Sequence, residues 1–328
     1  MSFKPIQPLQ HFDNKIAQEI IMWEWNWLYK PILDVLKPDS VQNSSDQIYN
    51  ALKSGSLYYQ NNAFYSKTGR FSNAISLELE KLGARYSKYG RCYRINLDKL
   101  PQNLQWIINT TNAKVFADVT AIKKIMDSAI GNLDEAIKNL KITDIAQAMI
   151  LDVQERTYKN FKANKIQTIT PKMDDNTAKL FAQEYTESIK FNIKNRTPEE
   201  IIKMREVVGQ MALDGESRIT IREYIQNRFK VNQKKAKFLA RNESKLAVTE
   251  YLKTKYQNEG SQEFIWVTSN DERVRDDHKE LNGKKFRYDD PPIIDKRTGR
   301  RGLPGEDYGC RCTFIPVFSK QLIASRKD

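Results

Sequence analysis

Histidine is the scarcest chemically useful residue in this chain: there are two among 328 residues, His11 and His278. That excludes nuclease and hydrolase plans in which several imidazoles act as bases and metal ligands. Cysteine is nearly as rare. Three residues, Cys92, Cys310 and Cys312, cannot build a disulfide framework in a chain of this size. No apolar run reaches the roughly 18 residues that cross a bilayer. The longest candidate, 16–36, is broken by Glu19, Glu24 and Pro31. The amino terminus shows no basic segment followed by an apolar core, so the sequence predicts no signal peptide, no membrane partner and a cytosolic origin. A P-loop, a dinucleotide fingerprint, a G-x-S-x-G elbow and an H-E-x-x-H helix are all missing, as are internal repeats. The paired glutamates Glu78 and Glu80 fall inside an amphipathic helical pattern and lack the companions an ADP-ribosyltransferase needs.

What the chain does have is positive charge. Lys and Arg number 54 against 41 Asp and Glu, a net charge of +13 and a pI near 9.4. An excess of this size favours polyanions such as DNA, RNA or anionic lipid, although a soluble surface alone can also account for it. With 40% hydrophobic residues and a mean hydropathy of -0.67, the chain is expected to fold into two or three units with real cores.

Periodicity predicts an α+β protein: helical amino-terminal and middle regions, with a small mixed α/β domain at the carboxy end. Trp23, Trp25 and Trp27 alternate beside Pro31, a spacing that fits either a strand or an amphipathic helix. Phe71, Ile75, Leu79 and Leu82 recur at helical spacing with Gly83 in the C-terminal cap position, and two short strands follow around Gly90. Apolar stripes from Ile122 to Leu140, from Ile145 to Phe161 and from Phe181 to Ile193 predict a helical bundle or hairpin. Thr197-Pro198-Glu199-Glu200 reads as a capping box that opens a new helix, closed by Asp214-Gly215. Another helix is expected from an Asn232 cap to a Gly260 stop. Strands at 263–268 and 310–317 are expected to pair. The implied domains are 1–115, an aromatic-rich α+β region; 116–215, the helical bundle; and 216–328, the mixed domain.

Three constellations could carry chemistry. Lys234, Lys237, Arg241 and Lys245 return to one helix face, and Lys296, Arg297, Arg300 and Arg301 crowd a glycine-containing loop; both suit phosphate contact. Glu243 falls in the apolar seam opposite the helical stripe and calls for a partner, which Arg222, Arg241 or Arg273 could supply; a structural ion pair, with Arg241 as one candidate, is expected over a catalytic acid. The third group is Asp271, His278, Cys310 and Cys312. If the last two residues are extended, both sulfurs leave the same face, and a nearby imidazole would complete a zinc-type donor set. Core packing of His278 between Val274 and Leu281 is the competing account.

The carboxy-terminal residues also carry a resemblance. Ala240-Arg241-Asn242-Glu243, then Trp266, Asp271-Glu272-Arg273-Val274-Arg275 with His278, Leu281 and Gly283, then Pro291-Pro292 and Cys310-Arg311-Cys312, resemble the phage Mu F-like minor head proteins over about a third of the chain. The stretch Gly69-Arg70-Phe71-Ser72 through Leu82-Gly83-Ala84 is similar to segments that precede this domain. The resemblance implies a minor capsid protein of a tailed phage or prophage, located in the virion after assembly in host cytoplasm. It would act at the portal in head morphogenesis and DNA packaging or delivery. Its partners would be portal and other head proteins and double-stranded DNA bound without sequence specificity. Relatives carry a cysteine pair where this chain has Arg275 and His278, so any zinc here would have at most three strong protein ligands. Such domains also occur fused to toxins, which keeps a metal-dependent nuclease or toxin-like enzyme as the alternative.

Overall fold

The computed structural model describes residues 3–36, 47–319, 322 and 324. Helix α1 (Gln10–Glu24) runs through a π-helical turn (Trp25–Tyr29) into α2 (Lys30–Val35), which places all three tryptophans on helix. The widening has a local cause. Pro31 has no amide to continue the ladder, and the Lys30 amide bonds instead to the Trp25 carbonyl five residues back. After α3 (Gln47–Ser54) come β1 (Leu57–Gln60) and β2 (Ala63–Ser66), a hairpin whose turn residues Asn61 and Asn62 sit at φ 51° and 58°. Asparagine tolerates that left-handed turn because its short amide bonds locally. Helix α4 (Asn73–Lys81) starts where the Ser72 hydroxyl accepts from the Ile75 amide and stops at Gly83, φ 85°, as its spacing predicts. Strands β3 (Arg85–Ser87) and β4 (Cys92–Arg94) complete a four-stranded antiparallel sheet of order β1-β2-β4-β3.

Four long helices and one short one follow: α5 (Gln102–Gly131), the short α6 (Leu133–Lys138), α7 (Thr143–Ala163), α8 (Asp175–Leu213) and α9 (Arg218–Asn258). Two sequence-based boundaries fail here. Pro198 lies inside α8 rather than at a helix start, and Asn232 is a buried residue inside α9 rather than a cap. Tertiary packing of Ile193, Ile201 and Met204 on either side carries α8 through its proline. The caps that do act are Asp174, which accepts from the Thr177 amide at 2.7 Å, and Ser217, which accepts from the Thr220 amide at 3.1 Å. The chain ends in β5 (Glu263–Val267), α10 (Asp276–Lys279), β6 (Lys285–Arg287), β7 (Ile293–Asp295), β8 (Arg300–Arg301) and β9 (Thr313–Val317). Strand β5 pairs antiparallel with both β6 and β9, with Trp266 opposite Phe314, so the expected partnership of the two apolar runs holds. The fold is α+β. Among the described residues no helix is long and apolar enough to cross a membrane.

Packing divides the chain into two compact units, each discontinuous in sequence: residues 1–23, 139–193 and 232–328, and residues 24–138 and 194–231. This differs from three consecutive domains, and the expected cut at 115/116 falls inside α5. The second unit holds one core of Leu28, Ile32, Val119, Ile122, Met204 and Ile221 with their neighbours, and another between α3, α4, α5 and the four-stranded sheet. The first unit is built on aromatics. Phe161 meets Phe3 edge-on at 5.6 Å, Tyr256 stands 6.0 Å from both Phe161 and Phe314, and Phe264 lies 5.5 Å from Phe314. Fully burying such rings supplies about 2–3 kcal/mol each, enough to fix a sheet of three short strands against α9.

Candidate metal centre and basic surfaces

Strand β5 presents Trp266 inward, fully buried, and its ring lies 5.3 Å from the imidazole of His278 on α10. The chain then loops out and returns just before β9, where Cys310 and Cys312 come to the same imidazole. Nδ1 of His278 is 3.5 Å from the Cys310 sulfur and 3.6 Å from that of Cys312. The sequence expectation that these side chains converge is met. All three are buried, and their ligand atoms lie within 4.8 Å of one another.

Neighbouring groups set the chemistry. Nε2 of His278 is 3.0 Å from the Ile294 carbonyl, an acceptor only, so Nε2 carries a proton and the Nδ1 lone pair of the neutral ring faces the sulfurs. The Cys312 amide donates to the Cys310 sulfur at 3.3 Å. A buried N–H without a hydrogen-bond partner, that of Trp266, lies beside the Cys312 sulfur. Hydrogen bonding from Cys312, then from His278, pulls the Cys310 thiol down to about 4, and the same bond pushes Cys312 up. Burial pushes His278 down, but the hydrogen bond and charge of Cys310 outweigh it and raise the ring above its ordinary value. The two shifts favour a Cys310 thiolate facing a His278 ring that holds its proton more tightly than a free imidazole does.

Asp271 does not join this group. Its carboxylate accepts from the Arg273 amide at 3.0 Å and pairs with Arg311. Asp271 stands outside the three-residue donor group, and it does not cap α10 either, whose N-cap position is held by Arg275. The acid that does approach is Asp307, which no motif marked. Its Oδ2 is 3.5 Å from Nε2 of His278, on the ring edge opposite the sulfurs, and it also pairs with Arg275 and, at 2.9 Å, with Arg300.

The proposed ion pair of Arg241 with Glu243 is not formed. Glu243 is buried and accepts from Ser188 at 2.7 Å and Asn242 at 3.3 Å, while Arg241 lies over the Phe238 ring at 5.5 Å. Residues two apart on a helix do not face each other, which is the physical reason. Of the helical stripe, Lys234, Lys237 and Arg241 are exposed, but Lys245 is buried. The 303–309 loop covers that turn of α9: the Pro304 carbonyl accepts from Thr249 at 2.9 Å, Asn242 accepts from the Gly309 amide at 2.9 Å, and Tyr308 packs on Phe238 at 4.5 Å. Gly305, at φ 101°, permits the approach, since a Cβ there would stand 2.8 Å from the Lys245 side chain. Burial lowers the Lys245 ammonium to about 8, with the two cysteines and Asp13 pulling the other way.

The cations of the basic loop are paired. Lys296 meets Glu280 at 2.9 Å and Asp277 at 3.4 Å, Arg297 meets Asp295 at 3.8 Å, Arg300 meets Asp307, and Arg301 meets Asp290. A periodic stripe is legible in sequence because the helix fixes its geometry; the acids that neutralise a loop come from four separate places and are not.

Comparison with known proteins follows the same segment. Residues 202–315 match the family described as Phage Mu protein F like protein. An uncharacterized protein of Haemophilus influenzae is 30% identical over 125 residues, covering 38% of this chain and 27% of that relative, so the chain spans only about a quarter of the relative's length. No solved structure matches. The matched stretch runs from the second half of α8 into β9, so it is this part of the chain, about a third of it, that is similar to the family described as Phage Mu protein F like protein.

Proposed function

We propose that this protein is a minor head protein of a tailed phage or prophage, taken into the capsid at the portal during head assembly and resident in the virion. The single observation that carries this reading is the family match over residues 202–315, which includes the loop and strand that return to α9. Portal and other head proteins are its partners in this reading. Packaged double-stranded DNA is a further one, met through phosphates along the exposed stripe Lys234, Lys237 and Arg241 rather than through base edges. The loop Lys296, Arg297, Arg300 and Arg301 is a weaker candidate, because each cation already faces a carboxylate.

A metal-dependent nuclease or toxin built on Asp271, His278, Cys310 and Cys312 has less support. Asp271 is occupied by Arg311, and the other three side chains are buried, whereas a catalytic ion keeps a position open to substrate. The test is to assemble heads with and without the chain and to probe purified particles for it. A minor head protein co-purifies with capsids in a fixed low ratio, and its removal lowers the yield of DNA-filled heads. Particles that lack the chain and form normally without it would overturn the proposal.

A further inference from the structure

We propose that His278, Cys310 and Cys312 hold one zinc ion in a closed structural site that pins the return of the chain, just before β9, to α10 and β5. The first support is metric. A tetrahedral zinc with Zn–S of about 2.3 Å and Zn–N of about 2.0 Å sets an S–N edge of about 3.5 Å. The two observed S–N distances are 3.5 and 3.6 Å. The three donor atoms lie within 4.8 Å of one another, within reach of a single ion, and the set of two thiolates and one imidazole suits zinc over magnesium or calcium.

The surroundings supply a second, independent support. The Ile294 carbonyl takes the Nε2 proton and so fixes the tautomer that leaves Nδ1 free to ligate, the arrangement that orients metal-bound histidines generally. The Cys312 amide donates to the Cys310 sulfur, where it stabilises a thiolate better than a thiol, and the buried Trp266 N–H, without a partner of its own, is a spare donor beside Cys312. Two thiolates and one divalent cation sum to zero charge, which a buried pocket tolerates where two bare thiolates would not. Among the described residues no fourth His, Cys, Asp or Glu atom joins the group, so the fourth vertex belongs to a water or another small ligand. Three protein ligands with a solvent fourth also occur in catalytic zinc. Here the ligand residues are 2%, 8% and 2% exposed, which assigns the ion to holding the fold.

The inference does not rest on the head-protein reading and is tested on the full chain alone. Protein purified reduced and without a histidine tag should carry one zinc per chain by elemental analysis. Replacement by Co(II) should give the near-ultraviolet thiolate-to-cobalt band together with tetrahedral visible bands. Cys310→Ser and Cys312→Ser should each drop bound zinc to background, while Cys92→Ser, a buried cysteine of the other unit, should leave it at one. Trp266→Phe should weaken zinc binding by about tenfold without abolishing it. Should the serine variants fail to fold, chelator titration of the unaltered protein decides instead: removal of the ion should expose the 296–309 loop to trypsin, and added zinc should reverse this. Wild-type protein that neither carries zinc nor takes up Co(II) with a thiolate band overturns the proposal. So does a Cys310–Cys312 disulfide in protein never exposed to oxidant.

Discussion

Helix α9, between 218 and 258, carries eleven Lys and Arg against three Asp and Glu, whereas the segment 261–319 carries eleven of each. The helix thus holds a net charge of +8 and the segment after it none, although both belong largely to one family match. The difference follows from how each is ordered. A helix satisfies its own backbone, so its surface cations can remain unpaired. The 268–312 stretch has only short strands and one turn of helix, and side-chain bonds such as those of Asp307, Asp295 and Asp277 supply the order that the backbone does not. The excess of positive charge in this region therefore sits on the helix, and the basic-looking loop is a self-contained network.

The sharpest break of this contrast is at the junction, where charge is both buried and paired. Lys255 and Glu259 lie 2.9 Å apart with side chains 8% and 0% exposed, and Glu259 also accepts from the amides of Ile169 and Thr170. Glu259→Gln strips the buried ammonium of its carboxylate and should lower stability by about 3 kcal/mol or more, read as a shift in the denaturant midpoint. Burial pushes Glu259 up, but the bonds from Lys255, Thr170 and Ile169 outweigh it and hold the carboxyl below its ordinary 4.5. A carboxyl depressed on folding contributes stability that is present above the ordinary value and lost as pH falls through the lowered one. Wild-type stability should therefore decline from about pH 4.5 downward, and the Gln variant should show a shallower decline. An unshifted midpoint would show that the clasp contributes nothing.

Asp307 comes next. Its side chain is 14% exposed and serves Arg275 and Arg300, each about half exposed. Solvent screening at the arginine end reduces the value of the pairs, so Asp307→Asn should lower stability by about 1–2 kcal/mol. The loss should be local: tryptic cleavage after Arg297, Arg300 and Arg301 should accelerate severalfold before global unfolding changes. Uniform loosening, with no preference for these sites, would mean that Asp307 does not organise the loop.

These two residues also show what the sequence could and could not reveal. The strands flanking the loop, the α4 cap at Gly83 and the meeting of His278 with Cys310 and Cys312 were legible, because each follows from short-range period or from a paired apolar run. The hairpin turning on Asn61 and Asn62 went unread, although two consecutive turn-forming asparagines between aromatic runs were a usable signal. Pro198 and Asn232 misled because local punctuation was outweighed by packing along α8 and α9. Lys245 sits in perfect register with Lys234 and Lys237 and is nonetheless buried, since the loop that covers it comes from sixty residues away and is admitted only by the positive φ of Gly305. Asp307 and Asp277 had no pattern at all. Long-range closure, not secondary structure, is where the reading stopped.

On the helix side of the contrast, Lys234, Lys237 and Arg241 changed together to Gln should reduce the log-log salt slope of double-stranded DNA binding by about 3, since each phosphate contact contributes roughly 0.9. The loss should be the same for unrelated sequences. Filter binding across a salt series gives the slope directly, and a variant that keeps the wild-type slope would remove α9 as the contact surface.

The smallest effect is expected from the loop itself, and it completes the comparison. Changing Lys296, Arg297, Arg300 and Arg301 together to Gln removes four positive charges, the larger change by count. Each of these cations, however, stands within 4.0 Å of Glu280, Asp295, Asp307 or Asp290. A phosphate approaching them would have to displace a carboxylate already in place, or accept the repulsion of one left beside it, and so would release few counterions. The slope should change by less than about 1, even though net charge falls further than in the helix variant. Stability should fall by only about 1 kcal/mol, because exposed pairs of this kind contribute a few tenths each and Asp307 keeps Arg275. Should the loop variant lose as much slope as the helix variant, the ion pairs must open on DNA, and the division between a cation-presenting helix and a self-neutralised loop would no longer hold.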